Sequence, residues 1–269
     1  MSIKLAVIGY PIKQSKSPII HGYWMEKHGI EGTHEAVQID LDQFERGIQK
    51  LIDDDYRGFN VTVPHKERII PLCTEIDDTA KAIGAVNTVT IEDGKLYGSN
   101  TDAYGFIQNL KQQCDQIDRS KKAIVLGAGG AARAVVYALQ HDGFENIVLL
   151  NRTRERAEVI VNDIGGTVDN WDQRSAILEE AGLVVNTTSL GMIGQPELEL
   201  DVSALPHEAI VYDIVYKPLM TDLLNNAKDN KNQIVTGIGM LLHQAVPAFE
   251  QWTGIQPEIN DELERLVLA

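Results

Sequence analysis

Residues 123–132 read Ala-Ile-Val-Leu-Gly-Ala-Gly-Gly-Ala-Ala, a β-rich apolar run that enters a glycine turn and then small helix-forming residues. The spacing Gly127-x-Gly129-x-x-Ala132 is a permitted form of the dinucleotide fingerprint. Gly127 supplies the tight turn, Gly129 lets backbone approach a pyrophosphate, and Ala132 lets the following helix pack closely on its strand. Ala128, Gly130 and Ala131 complete the loop, and the helix start behind it turns unpaired N–H groups and partial positive charge toward a phosphate. The motif alone also describes an ordinary strand-to-helix turn, so its surroundings matter. A second strand is expected at 146–150, and at its end an NAD enzyme usually places an acidic residue for the ribose hydroxyls. Here the chain reads Asn151-Arg152-Thr153-Arg154. A carboxylate there would repel a 2′-phosphate, whereas a guanidinium binds one as a fork. The chemistry indicated is binding of NADP in preference to NAD.

The first half of the chain offers short polar side chains beside expected strand ends. Ser15 and Ser17 stand two residues apart before Pro18, which suits a first helical position with Ser17 as its cap. Residue types alone leave open whether the two hydroxyls only cap and turn or also face a ligand. Asn60-Val-Thr62-Val-Pro64-His-Lys66 leaves a strand through a proline turn, and period-two alternation puts Asn60 and Thr62 on one face. That pattern fits a lined cavity and equally an exposed edge. Asn87-Thr88 and Asn100-Thr-Asp102 add further polar groups.

These residues need a framework, and apolar runs alternating with helical patterns predict a mainly parallel α/β sheet. Strands are expected at 5–9, 34–39 and 58–63, with helices at 18–29 and 41–53 between them. Strands at 86–91 and 95–99 flank the hairpin signal Asp93-Gly94. A second alternation begins near Lys121, with strands at 123–126, 146–150, 183–186, 210–214 and 233–236. Helices are expected at 131–141, closed by Gly143, and at 153–164, where Ala157, Ile160, Val161 and Ile164 form a stripe. Two apolar helical stretches, around 240–252 and 257–268, end the chain. The expected organisation is a substrate domain, 1–103 plus 239–269, and a Rossmann-type doubly wound domain, 104–238, with the ligands meeting in a cleft.

Composition narrows the function classes. The formal net charge of −15 argues against a nucleic-acid surface, which needs clustered positive charge. No apolar run approaches the ~20 residues of a membrane span. Residues 1–13 hold one short apolar stretch, 5–8, which reads as a strand because a secretion leader needs a longer one; a cytoplasmic location is expected. Cys73 and Cys114 have no metal-like spacing and read as reduced, structural thiols. The seven histidines show no H-E-x-x-H pattern, so no metal site is expected. There is no G-x-S-x-G nucleophile elbow.

Eight motifs now stand in order along nearly the whole chain: Gly9-x-Pro11-x-x-x-Ser15-x-Ser17-Pro18, Asn60-Val-Thr62-x-Pro64-x-Lys66, Gly84-Ala-Val-Asn87-Thr88, Asn100-Thr-Asp102-x-x-Gly105, Gly127-Ala-Gly-Gly-Ala-Ala132, Asn151-Arg-Thr153, Asn186-Thr-Thr-Ser-Leu-Gly-Met192 and Gly237-x-Gly-Met-Leu-Leu-His-Gln244-Ala245. In these the sequence resembles the shikimate dehydrogenase family. The resemblance implies an oxidoreductase of aromatic amino-acid biosynthesis that reduces 3-dehydroshikimate to shikimate with NADPH. It implies that Ser15 and Ser17, assisted by Tyr216, hold the substrate carboxylate, and that Thr62, Asn87, Asp102 and Gln244 hold ring hydroxyls. Lys66 is implied as acid/base, with Asp102 beside it. Residues 151–156, including Arg156, are implied to hold the adenosine phosphate. Ile214 and Gly237 would lie on the nicotinamide side, and Asp78 would be a further cofactor contact.

Independent chemistry supports the lysine. Hydride delivery to a ketone builds negative charge on its oxygen, which needs a stabilising donor and a proton. An ammonium supplies both. A neighbouring carboxylate would favour the charged lysine and burial would disfavour it. The rival readings are a dual quinate/shikimate dehydrogenase and a non-catalytic NADP- or metabolite-sensing protein. The expected partners are small molecules, with no nucleic acid or membrane, in a monomer or homodimer.

Overall fold

Strand β1 (Ile3–Gly9) is buried on both sides: Ala6 and Ile8 face one way, Leu5 and Val7 the other, and none is more than 2% exposed. An unbroken apolar run is what a strand covered on both faces requires. In the computed structural model, which describes residues 2–269, β1 lies within a six-stranded sheet. Its parallel neighbours are β2 (Gly32–Gln38) and β3 (Gly58–Val61). Beyond β3 come β5 (Thr88–Glu92), β6 (Lys95–Ser99) and the short edge strand β4 (Glu75–Ile76). β5 runs antiparallel to β3 and β6, while β4 is parallel to β6. The β5–β6 hairpin turns on Asp93 (φ 50°) and Gly94 (φ 72°), whose positive φ values match the twist of the strands they join.

On one face of this sheet, α2 (Phe44–Asp53) presents Phe44, Ile48 and Leu51 to Ile8, Phe59 and Val61. The short α3 (Asp78–Ile83) starts where the Asp77 carboxylate accepts the Ala80 N–H at 2.6 Å and stops at Gly84, φ 71°. On the other face lie α1 (Ser17–Lys27), the later part of α8 (Gly237–Thr253) and α9 (Asp261–Leu268). Trp24 donates to the Glu258 carbonyl at 3.0 Å and Trp252 to the Val89 carbonyl at 3.1 Å, so each buried indole keeps a partner. Burying a large apolar side chain contributes about 1.5–3 kcal/mol, which is how Trp24, Phe249 and Trp252 fasten the C-terminal helices here. This first unit comprises the chain up to Thr101 together with Gln244–Ala269.

The second unit, Asp102–His243, holds a wholly parallel sheet. Its strands are β7 (Lys122–Leu126), β8 (Ile147–Leu150), β9 (Thr167–Asp169), β10 (Ala181–Asn186), β11 (Ile210–Asp213) and β12 (Gln233–Val235). They lie in the order β9-β8-β7-β10-β11-β12, the doubly wound arrangement, with the reversal between β7 and β10. Helices α4 (Asp102–Gln113), α5 (Gly130–His141), α6 (Arg154–Asp163) and α7 (Asp222–Asp229) belong to the same unit. α5 ends as expected: Phe144 N–H reaches back to the Leu139 carbonyl at 3.0 Å, across Gly143 at φ 94°.

Some expectations need correction. Ser17 does not cap α1. The cap position is Lys16, Ser17 is already helical and Pro18 follows it, while Ser15 Oγ accepts the Ser17 N–H at 3.4 Å. The edge strands β4 and β9, of two and three residues, and the helices α3, α4 and α7 were not expected. Both cysteines are free. Among the described residues no helix is long and apolar enough to cross a membrane, and no cluster of three His, Cys, Asp or Glu side chains is placed to hold a metal.

Candidate functional site

In a doubly wound sheet, ligands bind where the strand order reverses, beyond the carboxyl ends of the strands. That edge lies after Leu126 of β7 and Asn186 of β10, which are paired in register. Gly127 donates its N–H to the Leu150 carbonyl at 2.8 Å and turns with φ 112°. A Cβ on Gly127 would stand 2.6 Å from Thr187 Oγ1, so both the turn and the packing require glycine. Gly129 is different. Its backbone is extended, and a Cβ there would meet nothing within 4 Å. The space in front of Gly129 is a cradle that a side chain would fill. α5 begins at Gly130 and Ala131, whose N–H groups have no carbonyl partner within the helix, and Ala132 is fully buried under the helix start.

Two pockets adjoin here. The first, of about 210 Å³, is lined by Gly127, Ala128, Gly129, Asn151, Arg152, Arg156, Trp171, Thr187, Thr188 and Leu190. The second is lined by Asn151, Arg152, Arg154, Asp169, Asn170, Trp171 and Asp172. Asn151 Nδ2 closes the turn after β8 by donating to the Thr153 carbonyl at 2.8 Å, and Thr153 occupies the cap position of α6. Arg152 and Arg156 are exposed and line the pockets, whereas Arg154 is tied to Glu158 at 2.8 Å. The donors fit a dinucleotide with a 2′-phosphate: open backbone at Gly129, a helix N-terminus, and guanidinium groups where an NAD site carries an acid. Asp169 and Asp172 line the second pocket as well and carry the opposite charge. Sequence reasoning missed Trp171 as a wall. It is held by Arg174, which stacks over its ring at 5.1 Å and donates to its carbonyl at 3.2 Å. Its only sequence signal was an aromatic after a polar stretch too short to read as a strand. Thr187, Thr188 and Leu190 lay inside a recognised motif but had no role assigned.

Ile214 follows β11, and Gly237 opens α8. A Cβ on Gly237 would collide with the Ile214 carbonyl, so these two backbones are in close contact. Tyr216 is half-buried, and burial pushes its phenol above the usual range. Neither Ile214 nor Gly237 lines the two pockets, nor does Asp78, whose carboxylate is exposed and paired with Lys81 at 3.1 Å. Asp102 is buried at the start of α4.

In the first unit, the segments read as substrate-binding converge at the carboxyl ends of β1 and β3. Thr62 N–H bonds the Ile8 carbonyl at 2.9 Å and Tyr10 N–H bonds the Val63 carbonyl at 3.1 Å, which ties the Ser15–Ser17 loop to the 60–66 turn. Lys66 is half-buried, and its carbonyl accepts the Val86 N–H at 2.9 Å, next to Asn87. Asn87, 3% exposed, accepts the Thr101 N–H at 2.8 Å, and its nitrogen donates to Thr101 Oγ1 at 2.9 Å. The structure thus brings Thr62, Lys66, Asn87 and Gln244 into one region of this unit. Asn60 instead bonds His34 and Thr88 inside the sheet.

Three family models match in chain order: the shikimate dehydrogenase substrate binding domain at residues 7–89, shikimate / quinate 5-dehydrogenase at 109–207, and the shikimate 5′-dehydrogenase C-terminal domain at 237–261. A shikimate dehydrogenase (NADP(+)) of Paramagnetospirillum magneticum is 49% identical over 267 residues, covering 98% of this chain and 97% of that one. The crystal structure of shikimate 5-dehydrogenase from Thermus thermophilus in complex with NADP(H) and shikimate superposes with a TM-score of 0.89 at 35% identity, covering 98% of each chain. Quinate dehydrogenase from Corynebacterium glutamicum in complex with NAD superposes with a TM-score of 0.91 at 28% identity, over 99% of each chain.

Proposed function

This chain belongs to the shikimate dehydrogenase family, and from that premise we propose that it interconverts 3-dehydroshikimate and shikimate with NADP as its cofactor. The observation that carries the cofactor choice is the end of β8, where Asn151 and Arg152 stand in place of an acid and line the pocket in front of Gly129. Gly127 to Ala131 would receive the pyrophosphate on backbone N–H groups, and Asn151, Arg152, Thr153, Arg154 and Arg156 the adenosine phosphate. Ile214 and Gly237 are assigned to the nicotinamide side, and Asp78 to a peripheral cofactor contact. When bound, the nicotinamide supplies the hydride.

The chain's own residues do the rest. Ser15, Ser17 and Tyr216 hold the substrate carboxylate, while Thr62, Asn87, Asp102 and Gln244 hold its ring hydroxyls, fixing which carbon is presented. Lys66 donates a proton from Nζ to the carbonyl oxygen during reduction and takes it back from the hydroxyl during oxidation. Asp102 is assigned, with Lys66, to the catalytic pair. We assign the enzyme to the cytoplasm, as a monomer or homodimer whose partners are small molecules.

The test is absorbance in the NADPH band after shikimate and NADP are mixed with the protein. A rise is expected, with a slower rate when NAD replaces NADP. Lys66→Ala should lower turnover by about 10²–10⁴ while NADPH binding, read by its fluorescence, stays near the parent value. No rise with the parent protein would refute the activity, and unchanged turnover in the variant would remove Lys66 from the mechanism.

A further inference from the structure

Asp213, the last residue of β11, is a fully buried carboxylate whose hydrogen-bond partners are all neutral. Its Oδ1 accepts from Asn186 Nδ2 at 2.9 Å and from the Val215 N–H at 3.0 Å, and its Oδ2 accepts from Thr221 Oγ1 at 2.7 Å. Burial pushes the carboxyl up to about 6. Neutral donors do not repay the full cost of burying a carboxylate, so the group invites a role beyond packing.

That role is legible in Asn186, the last residue of β10, also fully buried. Its amide nitrogen is taken by Asp213 and by the Leu190 carbonyl at 3.2 Å. Its oxygen is therefore turned to Thr188, accepting the backbone N–H at 3.0 Å and the hydroxyl at 2.7 Å. Thr188 Oγ1 then accepts the Leu190 N–H at 3.1 Å, closing the turn. The opposite amide orientation would set oxygen against the carboxylate and N–H against the Thr188 N–H. The carboxylate thus selects one orientation, and that orientation shapes the turn carrying Thr187, Thr188 and Leu190, which line the pocket beside Gly127.

We propose that Asp213 is a positioning residue for the nucleotide pocket, acting through the Asn186 amide on the 187–190 turn. The proposal rests on the reading of that pocket as the NADP site. The experiment measures NADPH dissociation constants by nicotinamide fluorescence, without substrate, alongside thermal unfolding. Asp213→Ala removes the acceptor that orients Asn186 and should weaken NADPH binding by about tenfold or more, the equivalent of one buried hydrogen bond. Asp213→Asn keeps one acceptor oxygen for Asn186 and should return affinity to within about threefold of the parent, since Thr221 can donate or accept. Thr188→Val cuts the far end of the chain without touching the buried carboxylate. It should weaken binding several-fold with little change in unfolding temperature, and it keeps the proposal open to refutation if Asp213→Ala does not fold. Parent-like affinity in Thr188→Val, or in a folded Asp213→Ala, would overturn the proposal, as would an Asp213→Asn variant as weak as the alanine. A parent protein that binds no NADPH would instead overturn the pocket assignment, and the proposal with it.

Discussion

The Asn87 amide nitrogen donates to Gln244 Oε1 at 3.4 Å, joining the residue before β5 to one on α8. The Asn87 oxygen is held from the other side by the Thr101 N–H at 2.8 Å and the Thr88 hydroxyl at 3.1 Å. Asn87→Ala should therefore act twice. Leaving the buried Thr101 N–H without its acceptor costs about 1–3 kcal/mol of stability, seen as a lower denaturation midpoint. Loss of the aligned amides should raise the KM for shikimate by about tenfold or more, with the KM for NADP unchanged. A variant with parental shikimate KM would exclude Asn87 from the substrate site.

The two glycines of the turn after β7 separate a folding requirement from a binding requirement. Gly127→Ala meets a positive φ and a Thr187 hydroxyl 2.6 Å from the new Cβ. It should destabilise the protein by about 1–3 kcal/mol. Gly129→Ala adds a methyl where nothing lies within 4 Å, at an ordinary φ of −104°. Its unfolding temperature should match or slightly exceed the parent's, because alanine restricts the unfolded chain, while NADPH affinity should fall about tenfold or more from lost pyrophosphate approach. Unfolding and fluorescence titration of both variants check this, and equal NADPH affinity in Gly129→Ala and the parent would move the phosphates elsewhere.

How much of this was readable from the residues follows their physical logic. Long apolar strands such as Ile3–Gly9 and Lys122–Leu126, and striped helices such as α6, announce themselves because burial dictates their pattern. β4 and β9 do not: two or three half-exposed residues at a sheet edge carry no periodicity. α4 was hidden because its first turn, Asp102 to Gly105, reads as loop chemistry. In the site, Gly127 and Arg152 were legible because backbone conformation and charge are written in residue type. The Asn186–Asp213 pair was not, because it depends on residues 27 positions apart meeting from neighbouring strands, and Trp171 was not, because a lone aromatic in a short turn after an edge strand carries no periodicity. Ser17 shows the converse error, since a serine before proline looks like a cap and is instead the first helical residue.

Arg152 borders both pockets and is exposed, so its substitution should cost cofactor selectivity and leave stability alone. A charge-assisted hydrogen bond to phosphate contributes about 1.5–3 kcal/mol, so Arg152→Ala should raise the KM for NADP by about 10- to 100-fold. The KM for NAD should barely move, because NAD lacks the 2′-phosphate. Steady-state rates with both cofactors decide this. A parallel loss for NAD and NADP would assign Arg152 to the shared part of the dinucleotide.

His21 and His34 stack at 4.4 Å, and they are 0% and 8% exposed. Both His21 nitrogens and His34 Nδ1 lack partners, while His34 Nε2 bonds Asn60 Oδ1 at 3.3 Å. Burial holds both rings neutral: His34 is lowered to about 3, and His21, with the His34 ring beside it, lies well below the usual range. In the unfolded chain each titrates near about 6.5. As pH falls below that value the unfolded state takes up protons that the native state refuses, so stability present at neutral pH is lost on acidification. The expected loss is about 2 kcal/mol per histidine between pH 7 and pH 5. Urea denaturation at the two pH values measures it. His21→Phe retains a ring among Trp24, Phe249 and Trp252 and removes one titrating group, so the acid loss should shrink by about 2 kcal/mol. An undiminished pH dependence in that variant would mean that the buried pair does not set the acid limit of the fold.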